Sequence, residues 1–115
     1  MPMRSSSSVR VFYPKLDRGA LIRRLEEGLV RLEELLPLAR VVLFGSWAKG
    51  RHTVASDIDL LIVYRGEARA NAYALVRRAL DVPGLEPHLY TEAEYQAVAG
   101  TVDRMIEGGV TLFSR

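Results

Sequence analysis

The chain has 115 residues, 49% of them hydrophobic and 26% charged, and its 16 Lys and Arg against 14 Asp and Glu leave a formal net charge of +2. That length holds one core and no separate substrate domain, and so small a positive excess gives no basic groove for direct nucleic-acid binding. Without cysteine there are no disulfides or thiolate metal sites. No apolar run approaches the roughly 18 residues that cross a bilayer, so a cytoplasmic protein with no membrane contact is expected.

Residues 1–14, with Ser5 to Ser8 at their centre, read as a flexible N-terminal tail, and 15–115 as a single domain. From Lys15 to Leu36 the apolar positions Leu16, Ala20, Leu25, Leu29, Leu32 and Leu36 recur at threes and fours. This predicts an amphipathic helix stopped by Pro37, with its Arg-Arg and Glu-Glu pairs facing water. A strand follows at Arg40 to Phe44, then a Gly45-Ser46 turn, a short helix from Trp47 towards Lys49 with Ser46 as its N-cap, and a loop through Val54 in which His52 is polar filler. The second strand runs from Asp57 to Tyr64. A helix from about Ala68 to Leu80, with Arg77 and Arg78 on its solvated face, ends at the Val82-Pro83-Gly84 turn. Leu85 to Tyr90 is the third strand. Thr91 and Glu94 form a capping box for a helix reaching about Glu107, Gly108 and Gly109 end it, and Val110 to Phe113 is a last strand.

Chemistry concentrates between Phe44 and Leu61. Side chains alternate along a strand, so Asp57 and Asp59 at i and i+2 share a face. At about 6 Å and an effective dielectric of about 20 their repulsion is on the order of 3 kcal/mol, a cost that a divalent cation reverses. Mg²⁺ suits the pair, since it takes one or two carboxylates plus waters and substrate phosphates. Opposite them, Gly45 lets the backbone turn sharply and approach a ligand, while the helix start after it offers free N–H groups to an anion. Ser46 is expected to bind β- or γ-phosphate oxygens through its N–H and hydroxyl, with Lys49 or Arg51 as a second contact. A nucleotide is therefore the expected ligand. Trp47 either flanks its base or packs under the short helix. Leu61 and Val63 share the acidic face, which must be covered by the first helix or by another protein.

The string Gly45-Ser46-Trp47-Ala48-Lys49-Gly50, then Asp57-Ile58-Asp59 on an apolar strand with ten residues between Ser46 and Asp57, resembles the signature of the DNA polymerase β-like nucleotidyltransferase superfamily. Within it the short chain is similar to the minimal nucleotidyltransferases, the MntA-type antitoxins paired with HEPN-domain toxins. The resemblance spans roughly residues 20 to 113. It implies an α/β (α+β) fold, with a mixed β-sheet of about four to five strands and helices packed mainly on one face. It also implies two Mg²⁺ ions with bound nucleotide, held by Asp57, Asp59 and a third carboxylate, and transfer of AMP from ATP to a tyrosine hydroxyl of a HEPN partner. The third position, an aspartate in the family, is Glu86 here, one methylene longer. His88 shares its face and reads most simply as a surface or packing histidine. A catalytically silent antitoxin that acts by complex formation, and a small-molecule adenylyltransferase, are the alternatives. Homo- or hetero-oligomers are compatible with either.

Overall fold

A computed structural model describes residues 17–53 and 55–115; the expected tail, and Lys15 and Leu16 of the expected first helix, lie outside the described residues. Helix α1 (Arg18–Leu35) opens on Asp17, whose carboxylate accepts the Ala20 N–H at 2.7 Å, and closes as the Leu36 N–H reaches Leu32 before Pro37. Its buried stripe is Leu21, Leu25, Leu29 and Leu32, with Gly28 among them. A methyl group on Gly28 would stand 2.4 Å from Leu80 Cδ2 and 2.8 Å from the Ala79 carbonyl, so the missing side chain sets how closely α1 lies on its neighbour.

That neighbour is α3 (Ala72–Ala79), shorter than the predicted helix by about one turn. The segment before it is occupied elsewhere. The Arg69 N–H donates to the Tyr64 hydroxyl, and the Arg69 guanidinium donates to the Leu35 carbonyl at the end of α1. Other arginines do the same work. Arg24 reaches the Asp81 carbonyl, Arg31 the Ala79 carbonyl and Arg77 the Leu85 carbonyl. Arg24 and Arg77 stay exposed, as expected, and their guanidiniums also close on carbonyls at helix and strand ends that lack donors of their own.

Among the described residues four strands form one mixed sheet in the order β3-β2-β1-β4: β1 (Leu38–Phe44), β2 (Ile58–Tyr64), β3 (Leu85–Thr91) and β4 (Val110–Ser114). β1 pairs antiparallel with β2 and β4, and β2 pairs parallel with β3 through the α3 crossover. The face built from Val41, Leu43, Ile58, Leu60 and Ile62 meets α1 and α3. The opposite face, with Val42, Phe44, Leu61 and Val63, meets Val102 and Ile106 at the end of α4 (Glu92–Met105) and after it. Leu61 and Val63 are therefore covered by this helix and not by α1 or a second protein. α4 is anchored by the expected capping box: Thr91 N–H to Glu94 Oε1 at 2.9 Å and Glu94 N–H to Thr91 Oγ1 at 3.1 Å. Gly109 then passes so close to β1 that a Cβ would meet the Leu43 carbonyl at 2.8 Å. No helix of the described residues is long and apolar enough to cross a membrane.

Candidate active site

β2 is buried along its length except at Asp59, the one half-buried position in Ile58–Tyr64. A carboxylate does not enter such a strand for packing, because burying it unpaired is costly. The ladder sets what stands around it. Asp59 is in register with Phe44 at the end of β1 and with Glu86 near the start of β3, so the three side chains share the α4-facing side of the sheet at its open end. Like charges directly opposite on neighbouring strands repel. Among the described residues, neither Asp57 nor Glu86 has an ion-pair partner.

Gly45 closes on the same carboxylate. It has φ 78 and ψ −153, a conformation open only to glycine, and a Cβ built on it would stand 2.5 Å from Asp59 Oδ2. The chain thus turns one residue earlier than expected: Gly45, not Ser46, is the N-cap of α2 (Ser46–Lys49), and Ser46 sits exposed in the first turn. Correcting the cap assignment leaves the Ser46 hydroxyl uncommitted to the helix. Gly50, in the left-handed conformation at φ 74, ψ 18, ends this turn of helix, and the Arg51 N–H returns to the Ser46 carbonyl. Lys49 and Arg51 are both exposed, and the Lys49 stem ends 3.5 Å from where a Cβ on Gly108 would lie, at the start of β4. The geometry brings neither cation to Asp59.

Below α2, Trp47 is buried and stacks on His52 with ring centroids 3.8 Å apart and planes 3° from parallel. Trp47 is the packing residue of the two readings, and His52 is its partner and not filler. The loop then tightens into a Ser/Thr turn, with the Ala55 N–H donating to Thr53 Oγ1 at 3.2 Å and the Thr53 N–H to Ser56 Oγ at 2.8 Å, and delivers exposed Asp57 one residue ahead of β2.

The structure therefore joins Gly45, Ser46 and Asp59 at one end of the sheet, with Asp57 leading into the same strand. Glu86 is on the correct strand and in register but exposed, and no three His, Asp or Glu side chains among the described residues converge as a ligand set. One contact was not legible from a motif. His88, two residues beyond Glu86, places Nε2 3.5 Å from Asp59 Oδ1 and its ring 5.1 Å from that of Phe44. The only signal in the sequence was the i+2 spacing from Glu86.

These donors fit a hard divalent cation. The test is the cradle at Gly45, where any Cβ would fill the space at Oδ2, together with acidic groups that lack a lysine or arginine partner.

The family described as nucleotidyltransferase domain matches residues 22–108. No curated protein matches the chain. Among solved structures, a nucleotidyltransferase-like protein from Sulfolobus solfataricus is 24% identical with a TM-score of 0.61, covering 85% of this chain and 84% of that one. A chain of a toxin–antitoxin complex with AMP-PNP is 21% identical, with a TM-score of 0.54 over 78% of this chain and 73% of that one. A chain from the Shewanella oneidensis complex of tri-AMPylated HEPN toxin with MNT antitoxin is 19% identical, with a TM-score of 0.51 over 82% and 73%. At these identities the likeness is one of fold. The matched span runs from α1 to the turn before β4 and contains the Gly45 turn, both aspartates and Glu86, so the chain belongs to the nucleotidyltransferase domain family, with its polymerase β-like fold.

Proposed function

We propose that this protein is a Mg²⁺-dependent nucleotidyltransferase that moves AMP from ATP to a protein hydroxyl, a tyrosine of a HEPN-domain partner, and so acts as the antitoxin of a toxin–antitoxin pair. The observation that carries the reading is the closure of Gly45 on Asp59: a carboxylate in an otherwise buried strand, met by a turn whose next residue, Ser46, is exposed. The solved complexes with AMP-PNP and with an AMPylated HEPN toxin support the choice of nucleotide and partner.

In this reading Asp57 and Asp59 would hold the cation, which when bound would neutralise triphosphate charge and polarise the α-phosphoryl group. Ser46 binds phosphate oxygens through its N–H and hydroxyl, and Gly45 leaves room for them. The partner's hydroxyl oxygen attacks the α-phosphorus, a P–O bond forms, the α–β phosphoanhydride bond breaks and pyrophosphate leaves. Glu86, exposed on β3 beside Asp59, takes the hydroxyl proton as the P–O bond forms, and it is the residue that would hold a second, nucleophile-side cation. Lys49 and Arg51 remain at the rim, where they meet the outer phosphates only by swinging inwards.

Mixing the chain with ATP, Mg²⁺ and its HEPN partner should add AMP to the partner, read by mass and by tyrosine mapping; an unmodified partner refutes the transfer. One observation favours a second reading, neutralisation by complex formation alone. Glu86 stands outside any three-donor cluster. Neutralisation that survives Asp57→Asn with Asp59→Asn would select that reading.

A further inference from the structure

We infer that His88 is a positioning residue for Asp59, holding one carboxylate oxygen so that the other is presented beside Gly45; this deepens the reading above and rests on it. Three independent observations converge on the imidazole. Its Nε2 is buried, has no hydrogen-bond partner, and faces Asp59 Oδ1 at 3.5 Å. Its ring is tilted 58° against Phe44 at 5.1 Å, and Phe44 is itself buried and in register with Asp59. The other oxygen, Oδ2, is the one that Gly45 approaches. Asp59 is thus bracketed, with imidazole at Oδ1 and glycine at Oδ2.

The chemistry follows from what a buried nitrogen can do next to a carboxylate. With the proton on Nε2 the ring donates to Oδ1. With the proton on Nδ1 a nitrogen lone pair would face an anion, which is repulsive, so the contact itself selects the Nε2–H form. The separation is at the outer limit of a hydrogen bond and the pair is not bonded as placed, so a rotation that aligns Nε2–H with Oδ1 is required. A carboxylate fixed in this way loses little freedom when it takes a cation, and groups that orient a ligating side chain typically set metal affinity by about 10–100-fold. The sheet explains the choice of residue. His88 is in register with Leu61, two pairs further along the ladder than Asp59 and Glu86 and so on the same face, and a long planar side chain there reaches back along the strand direction to Asp59 while its ring packs on Phe44.

The test is titration of Mn²⁺, followed by its electron paramagnetic resonance signal, into the full chain with a non-hydrolysable ATP analogue. His88→Phe keeps a planar ring against Phe44 and loses the donor; it should weaken Mn²⁺ binding by about 10–100-fold. Metal-free binding of the analogue and the melting temperature should stay at wild-type values. His88→Gln, which retains an N–H, should recover most of the Mn²⁺ affinity. Wild-type Mn²⁺ affinity in His88→Phe overturns the inference, as does a Gln variant as weak as Phe, and so does tighter binding in His88→Phe, which would mean the imidazole blocks the cation. A wild-type chain that binds neither Mn²⁺ nor the analogue removes the nucleotidyltransferase reading, and the inference with it.

Discussion

In Gly45→Ala the added Cβ would stand 2.5 Å from Asp59 Oδ2, on backbone at φ 78 and ψ −153 that alanine reaches only under strain. Holding an L-residue in such a region costs about 1–3 kcal/mol, and relieving the contact displaces the carboxylate that the cation needs. About 2–3 kcal/mol in all is expected, which for a domain of this size lowers Tm by roughly 10–20 °C. Gly50→Ala is the control. That residue is also left-handed, at φ 74 and ψ 18, but a Cβ there meets nothing within 4 Å. Its cost should be about 1 kcal/mol, with nucleotide and Mn²⁺ binding unchanged. Thermal melts of both variants, and of Gly45→Ala combined with Asp59→Ala, separate strain from contact. With the carboxylate gone the contact part vanishes, so the double variant should be more stable than the sum of the single costs allows. Equal melting points for Gly45→Ala and Gly50→Ala, together with strict additivity of the double variant, would refute the close approach.

Gly28→Ala should destabilise by about 1–2 kcal/mol despite alanine's higher helix propensity, because the methyl group would collide with the Ala79 carbonyl at 2.8 Å; a higher Tm would show that α1 can lift away from α3 at no cost. Thr91→Ala removes the Oγ1 acceptor of the Glu94 N–H, the side-chain half of the capping box, at a position only 3% exposed and should cost about 1–2 kcal/mol, measured by urea unfolding. Asp57→Asn with Asp59→Asn should abolish the Mg²⁺ dependence of ATP binding in calorimetry while leaving the fold intact. Tyr95 donates to Asp103 Oδ1 at 2.5 Å and accepts from Arg40, and the bond to Asp103 holds its pKa above 10.0. Since the folded pKa is the higher, this stabilisation is complete below pH 10.0 and is lost as pH rises through the raised value. Tyr95→Phe should therefore flatten the alkaline limb of the stability–pH curve, with tyrosinate absorbance as the readout.

Much of this protein is local and was readable as such. The Gly45-Ser46 turn, the Asp-Ile-Asp entry to β2, the Thr91/Glu94 capping box and the breaks at Pro37 and Gly108-Gly109 each depend on residues within a few positions of one another, where backbone preference and side-chain alternation act directly. The element order follows from the same periodicities, while the mixed sheet is what the family resemblance implied. Boundaries moved where a distant group intervened: α3 lost its first turn because Tyr64 and Leu35 take the hydrogen-bonding groups of Arg69.

What the sequence alone determined is the chemistry on offer: two aspartates at strand spacing, a glycine before a short helix, and a glutamate on a later strand. Which of these meet was decided by strand register and close packing, which no short window of residues contains. Pairing Phe44 and Glu86 with Asp59, and turning His88 onto Asp59 Oδ1, are consequences of ladders joining residues 15 to 27 positions apart, and laying α4 over Leu61 and Val63 draws on packing with residues farther along still. Spacing along the chain selects the groups; only the sheet sets the distances between them.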